Sequence, residues 1–137
     1  EEEFYAALAP NPDPVMGGKS VPEAYQEELE NLLQVRIERV DGPATLIVKR
    51  GAAGATVIQK TARLDVPGFP VEILNTVGAG DAFASGLLYG FTQNWDWHTC
   101  VRMGNACGAL VVTRHGCGTA MPTFKEAINF ITERGGF

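Results

Sequence analysis

The run Asn75-Thr76-Val77-Gly78-Ala79-Gly80-Asp81-Ala82-Phe83 sets two glycines and a carboxylate between apolar segments. Those residue types suit a phosphate group with a proton acceptor beside it. The first N–H groups of a helix have no intrahelical partner, and glycines without a Cβ let an anionic group come close to them. Asp81 then stands where an attacking hydroxyl would have to give up its proton. The plainer alternative is a carboxylate that does no more than interact with the dipole of its helix.

The chemistry needs a rigid entry and exit. Val71-Glu72-Ile73-Leu74 reads as a short buried strand, and Ala82-Phe83-Ala84-Ser85-Gly86-Leu87-Leu88-Tyr89-Gly90-Phe91 as a packed helix, so strand, glycine turn and helix start coincide. Upstream, 44–49 is a near-continuous apolar run suited to the middle of a sheet covered on both faces. Residues 55–58 and 62–66 read as further strands, with a break at Pro67-Gly68-Phe69-Pro70. Later helices are expected over about 80–93, 97–114 with Asp96 as N-cap, and 123–134 after Pro122.

Toward the N-terminus, 1–8 reads as a short helix and 10–18 as a loop rich in proline and glycine. Ser20 and Glu23 are spaced as a capping box for a helix whose apolar positions are Tyr25, Leu29, Leu32, Leu33 and Val40. The pattern describes an α/β domain, a sheet flanked by helices.

Asn75-Thr76-x-Gly78-Ala79-Gly80-Asp81 resembles the anion-hole and catalytic-aspartate motif of the ribokinase-like (PfkB) carbohydrate kinases. Three further segments follow that family's order. Lys49-Arg50-Gly51-Ala52-Ala53-Gly54 is similar to the turn before the nucleotide site, Asn105-Ala106-Cys107-Gly108-Ala109 to the helix bordering the adenine, and Val112-Thr113-Arg114-His115-Gly116 to the loop that closes the pocket. Within the family, the segments around Gly68–Thr76 and 102–117 look most like the branch that phosphorylates 5-dehydro-2-deoxygluconate in inositol catabolism.

The resemblance covers the whole chain but only the family's C-terminal half. It implies a single layered ATP-binding domain over 1–137, without the part that supplies most sugar contacts and the lid, and therefore a chain inactive alone. It implies Asp81 as catalytic base and N–H groups of Gly78, Ala79 and Gly80 as the anion hole. Lys49, Gly51, Gly54, Asn105, Gly108 and His115 would line the nucleotide, although a buried Asn105 could equally satisfy backbone groups of its own fold. ATP and Mg2+ are implied, with Glu3 organising the metal through water, and K+ beside Asn75 and Thr76. The family often has aspartate where this chain has Asn75, and an Asn-Thr pair can also simply close a strand. Other acceptors in the family include fructose, ribose and 2-keto-3-deoxygluconate. A different class of function, a non-catalytic nucleotide-binding or interaction module, would keep the motif without turnover.

Composition narrows the partners. A net charge of −5 and scattered Lys and Arg disfavour nucleic acid, so the expected partner is a small sugar or sugar acid. No apolar stretch approaches the roughly 20 residues of a membrane-spanning helix, and Glu1-Glu2-Glu3 is unlike a signal peptide's basic start, so a cytoplasmic location is expected. Cys100, Cys107 and Cys117 lack C-x-x-C spacing and read as buried free thiols. Apolar surface left by a missing half leaves room for a homo-oligomer.

Overall fold

The computed structural model describes residues 23–116 and 118–137. The helix and loop expected over 1–18, the Ser20 cap, Glu3 and Cys117 lie outside the described residues. Helix α1 spans Glu23–Glu38, followed by strands β1 (Thr45–Lys49), β2 (Ala55–Gln59) and β3 (Arg63–Val66) and helices α2 (Ala79–Thr92), α3 (Trp97–Val112) and α4 (Phe124–Thr132). The strands form one antiparallel sheet in the order β1-β2-β3.

Two compact units divide these elements: α1, β1 and 57–63 belong to one, 50–56 and 64–137 to the other. In the first, Leu33 and Ile37 of α1 are buried with Ile58 of β2, and Leu46 and Val48 pack against them. Over 31–38, the part of the helix whose side chains are described, the buried residues are the i, i+4 pair Leu33 and Ile37. Leu32 is 37% exposed, and Val40, beyond the helix end, is fully exposed.

Two expectations fail in the sheet, for identifiable reasons. Among the described residues the run at 44–49 is not a central parallel strand: β1 lies at the edge of the sheet, and its five residues are all only partly buried. Its connection to β2, residues 50–54, is far too short for a parallel crossover, and an apolar run alone does not report which kind of sheet it enters. The segment 71–74 forms no strand. Ile73 and Leu74 are more than half exposed, and the N–H groups of Leu74 and Asn75 converge on one carbonyl, Val112 O (2.8 and 3.2 Å), which ties the segment to a helix end instead of a ladder.

The second unit is built on α2 and α3 in close contact. A Cβ placed on Gly104 of α3 would lie 2.9 Å from Phe83 O of α2, and one on Gly86 would lie 2.9 Å from Met103 O. The two backbones approach so nearly that only glycine fits without a shift. Around them Phe69, Ala82, Met103, Ala106, Ala127, Phe130 and Ile131 form a buried cluster, with the Phe69 and Phe130 rings edge to face at 5.1 Å. Arg102 fastens the C-terminal end by donating to Gly136 O (2.6 Å) and Arg134 O (3.1 Å).

Candidate functional site

The turn before α2 is held from both sides. Leu74 and Asn75 donate to Val112 O at the end of α3, and the Asn75 side-chain oxygen accepts from Val77 N at 3.0 Å, closing an Asx turn. Gly78 then takes φ 84°, ψ −4°, a left-handed conformation that an L side chain rarely adopts. Ala79 N donates to Thr76 O (3.2 Å) and Ala82 N to Gly78 O (2.9 Å), which starts the helix.

This leaves the N–H groups of Gly78, Gly80 and Asp81 without a partner among the described residues. No side chain caps this helix. Ala79 departs from the expectation, because its N–H is committed to Thr76 O; the free donors are the glycines on either side of it and Asp81. The Asp81 residue is exposed in the first turn, and its carboxylate makes no hydrogen bond or ion pair among the described residues. One helical turn thus combines three free donors with one free acceptor, the arrangement a transferring anionic group and a proton require.

Behind that turn lies α3. A Cβ on Gly108 would sit 3.4 Å from Ala79 O, so this residue backs the helix start directly. One turn earlier, buried Asn105 donates its amide to Val66 O (3.3 Å) and Pro67 O (3.1 Å). The amide that could have met an adenine edge pins the end of β3 instead. Gly54 has φ 96°, and a Cβ there would lie 2.5 Å from Gly68 N, so the turn at Gly51–Ala53 is pressed against the same 66–68 segment. Gly54, Asn105, Gly108 and the 78–81 turn are consequently joined through consecutive contacts. Gly51, at φ 56°, opens the 51–53 turn and is exposed.

The other expected residues lie as follows. Lys49 ends β1 and is partly buried. His115 lies exposed in the turn after α3, three residues past Val112. Asn75 and Thr76 each already use an oxygen, Oδ1 and O respectively, within the turn. No group of three or more His, Cys, Asp and Glu that could hold a metal occurs among the described residues.

Two networks escaped sequence reasoning. Asp65 of β3 accepts from Arg50 Nη2 (2.8 Å) and from buried Thr56 Oγ1 (2.5 Å), which braces the residue leading into the 51–54 turn. Arg114 donates to Ala120 O (3.2 Å) and Glu126 Oε1 (2.7 Å), while Glu126 Oε2 accepts from Thr123 N (2.7 Å) and Thr123 Oγ1 (2.8 Å). The hydrogen bonds from the Thr123 backbone and hydroxyl, with Arg114, hold the Glu126 carboxyl down at about 2. The T-x-x-E spacing of Thr123 and Glu126 was a readable signal for the cap; nothing in the sequence announced its second partner. Cys100 and Cys107 are buried free thiols, and burial pushes Cys107 up to about 11.

Residues 18–124 match the pfkB family of carbohydrate kinases. The chain belongs to that family. The match runs through the 51–54 turn, the uncapped start of α2 and the whole of α3. The chain is 30% identical over 142 aligned positions to 5-dehydro-2-deoxygluconokinase of Clostridium botulinum (strain Alaska E43 / Type E3), covering 96% of this chain and 40% of that protein. It therefore spans about two fifths of the length of that curated relative.

Solved members of the family share the fold. An E. coli protein described as a ribokinase II, in complex with ATP and Mg2+, superposes with a TM-score of 0.71 at 30% identity over 96% of this chain and 37% of its own. Fructokinase from Vibrio cholerae O395, bound to fructose, ADP and calcium, gives a TM-score of 0.63 at 34% identity over 76% of this chain and 34% of its own. The fold is α/β and ribokinase-like. Among the described residues no helix is long and apolar enough to cross a membrane.

Proposed function

We propose that this chain is the ATP-handling C-terminal part of a kinase that transfers the γ-phosphoryl group of ATP to a hydroxyl of a sugar or sugar acid. The observation that carries this reading is the single turn in which free N–H groups of Gly78, Gly80 and Asp81 adjoin the free Asp81 carboxylate. The donors receive the oxygens of the transferring group, whose charge is highest in flight, and cost no reorganisation because the fold already aims them. Asp81 accepts the proton of the attacking hydroxyl, a step that typically contributes roughly 10²–10⁴-fold.

Lys49, Gly51, Gly54, Asn105, Gly108 and His115 border the nucleotide in this reading, with Asn105 and Gly108 shaping the wall. Mg2+ would be carried on the nucleotide's phosphates and would neutralise their charge, with Glu3 as the candidate that would organise it through water. A K+ ion beside Asn75 and Thr76 would draw on their oxygens, of which Asn75 Oδ1 and Thr76 O already accept one hydrogen bond each. The enzyme works in the cytoplasm, where ATP and Mg2+ are supplied.

For the acceptor we propose 5-dehydro-2-deoxygluconate, phosphorylated at its 6-hydroxyl in inositol catabolism. The support is the 30% identity to the Clostridium kinase of that name, together with the segments 68–76 and 102–117. Substitution of Asp81 by Asn in the complete enzyme tests the chemistry. Turnover falls by about 10²–10⁴-fold while ATP affinity is kept, because a base acts in the transition state and not in binding. Unchanged turnover would remove Asp81 from the mechanism.

A further inference from the structure

We infer that Glu126, on α4, is a positioning residue for the nucleotide, acting through Arg114 on the turn that carries His115. This rests on reading that turn as a border of the nucleotide site. The turn leaves α3 with little holding it: Thr113 and Arg114 donate back to Leu110 O and Val111 O, and beyond them His115 and Gly116 are exposed, with Gly116 at φ 100°. The Arg114 guanidinium reaches forward to Ala120 O and Glu126, so one side chain ties the beginning of the segment 114–120 to its end.

Glu126 is the fixed point of that tie. Its second oxygen is locked by Thr123 N and Thr123 Oγ1, and Thr123 Oγ1 in turn accepts from Glu126 N (3.3 Å), a reciprocal capping box that leaves the carboxylate no freedom to follow a moving arginine. Arg114 also lies two residues beyond Val112, whose carbonyl receives Leu74 N and Asn75 N at the root of the donor turn. The segment that Arg114 ties down therefore follows directly on the residue that anchors the 74–81 turn. Side-chain exposures of 30% for Arg114 and 44% for Glu126 make it a weak contributor to global stability, since such pairs are largely screened by water. Its effect is local order.

The test is steady-state kinetics on the complete enzyme carrying Glu126→Gln, Arg114→Gln, both together, or Thr123→Ala. Glutamine at 126 keeps the cap and loses the charge facing Arg114. Each of the first two variants should raise KM for ATP by about fivefold with kcat and the sugar KM changed less than about twofold, and the double variant should be no worse than the larger single one, as expected of coupled neighbours. Thr123→Ala, which removes one of the two bonds that lock Glu126 Oε2, should lower the melting temperature and raise KM for ATP by less than Glu126→Gln does. An unchanged KM for ATP in Glu126→Gln, or effects of the two singles that multiply in the double, would overturn the inference while leaving the kinase reading intact. An unaltered enzyme that binds no ATP would overturn both.

Discussion

Helices α2 and α4 begin in opposite ways. At α4, Thr123 and Glu126 satisfy each other's backbone donors in a reciprocal capping box, and Arg114 covers the remaining carboxylate oxygen. At α2, Gly78 stands at the cap position with no side chain to offer, and the donors of Gly78, Gly80 and Asp81 stay open. Helix α3 sides with α4, because Asp96 caps it by accepting from Thr99 N at 3.1 Å. A capped start stabilises its helix by about 1 kcal/mol, and an uncapped one gives that up and keeps its donors for something else. On the proposed reading, the difference marks where the fold withholds stability in favour of binding.

The largest effect that would break this contrast comes from closing the open start. Gly78→Ala puts a side chain at φ 84°, which tilts the donor turn; turnover should fall by about 10²–10³-fold, the usual cost of losing one aligned donor. Measured rates near the unaltered value would mean the turn tolerates reshaping and the donors are not used. Smaller in kinetics but large in stability is Gly104→Ala, whose Cβ would meet Phe83 O at 2.9 Å; overpacking of this kind costs about 1–3 kcal/mol and should appear as a lowered midpoint in urea. A neutral result would show that α2 and α3 can separate without disturbing the site.

How much of this was legible in the sequence depends on whether the signal was local. The donor turn and the starts of α2 and α3 were read, and the cap at Thr123 carried a signal that was missed, because glycine pairs and caps such as Asp96 with Thr99 or Thr123 with Glu126 act within four residues of themselves. The error at 71–74 is of the other kind. Val71-Glu72-Ile73-Leu74 has strand-like residues, yet where its N–H groups go is decided by Val112, nearly forty positions later. The same holds for Asn105, whose partners are Val66 O and Pro67 O, and for Arg114 and Glu126. For β1, the apolar run was read correctly as a strand and misread as a central one, since edge position follows from how few strands pair with it.

Capped and uncapped starts should also differ in their response to acid. The carboxyl of Glu126 sits at about 2 in the folded protein against 4.5 ordinarily, so its contribution is complete above about 4.5 and is lost as pH falls toward 2. Melting temperatures of the unaltered protein and Glu126→Gln should therefore be separated at neutral pH and converge across that interval. A gap that persists unchanged down to pH 2 would mean that the charge of Glu126 is not the source of the difference. The smallest expected effect is that of Gly108→Ala: its Cβ would make only ordinary contact with Ala79 O at 3.4 Å, and the melting temperature should move little.

Amide ¹H–¹⁵N spectra of the protein with Mg-ATP and with Mg-ADP read the open start of α2 most directly. The γ-phosphoryl group is the only difference between the two ligands, so the resonances that separate them should be those of Gly78, Gly80 and Asp81, shifted in the direction of stronger hydrogen bonding with ATP. Identical positions for these three amides in both spectra, with ATP bound, would contradict the assignment of this turn as the cradle of the transferred group.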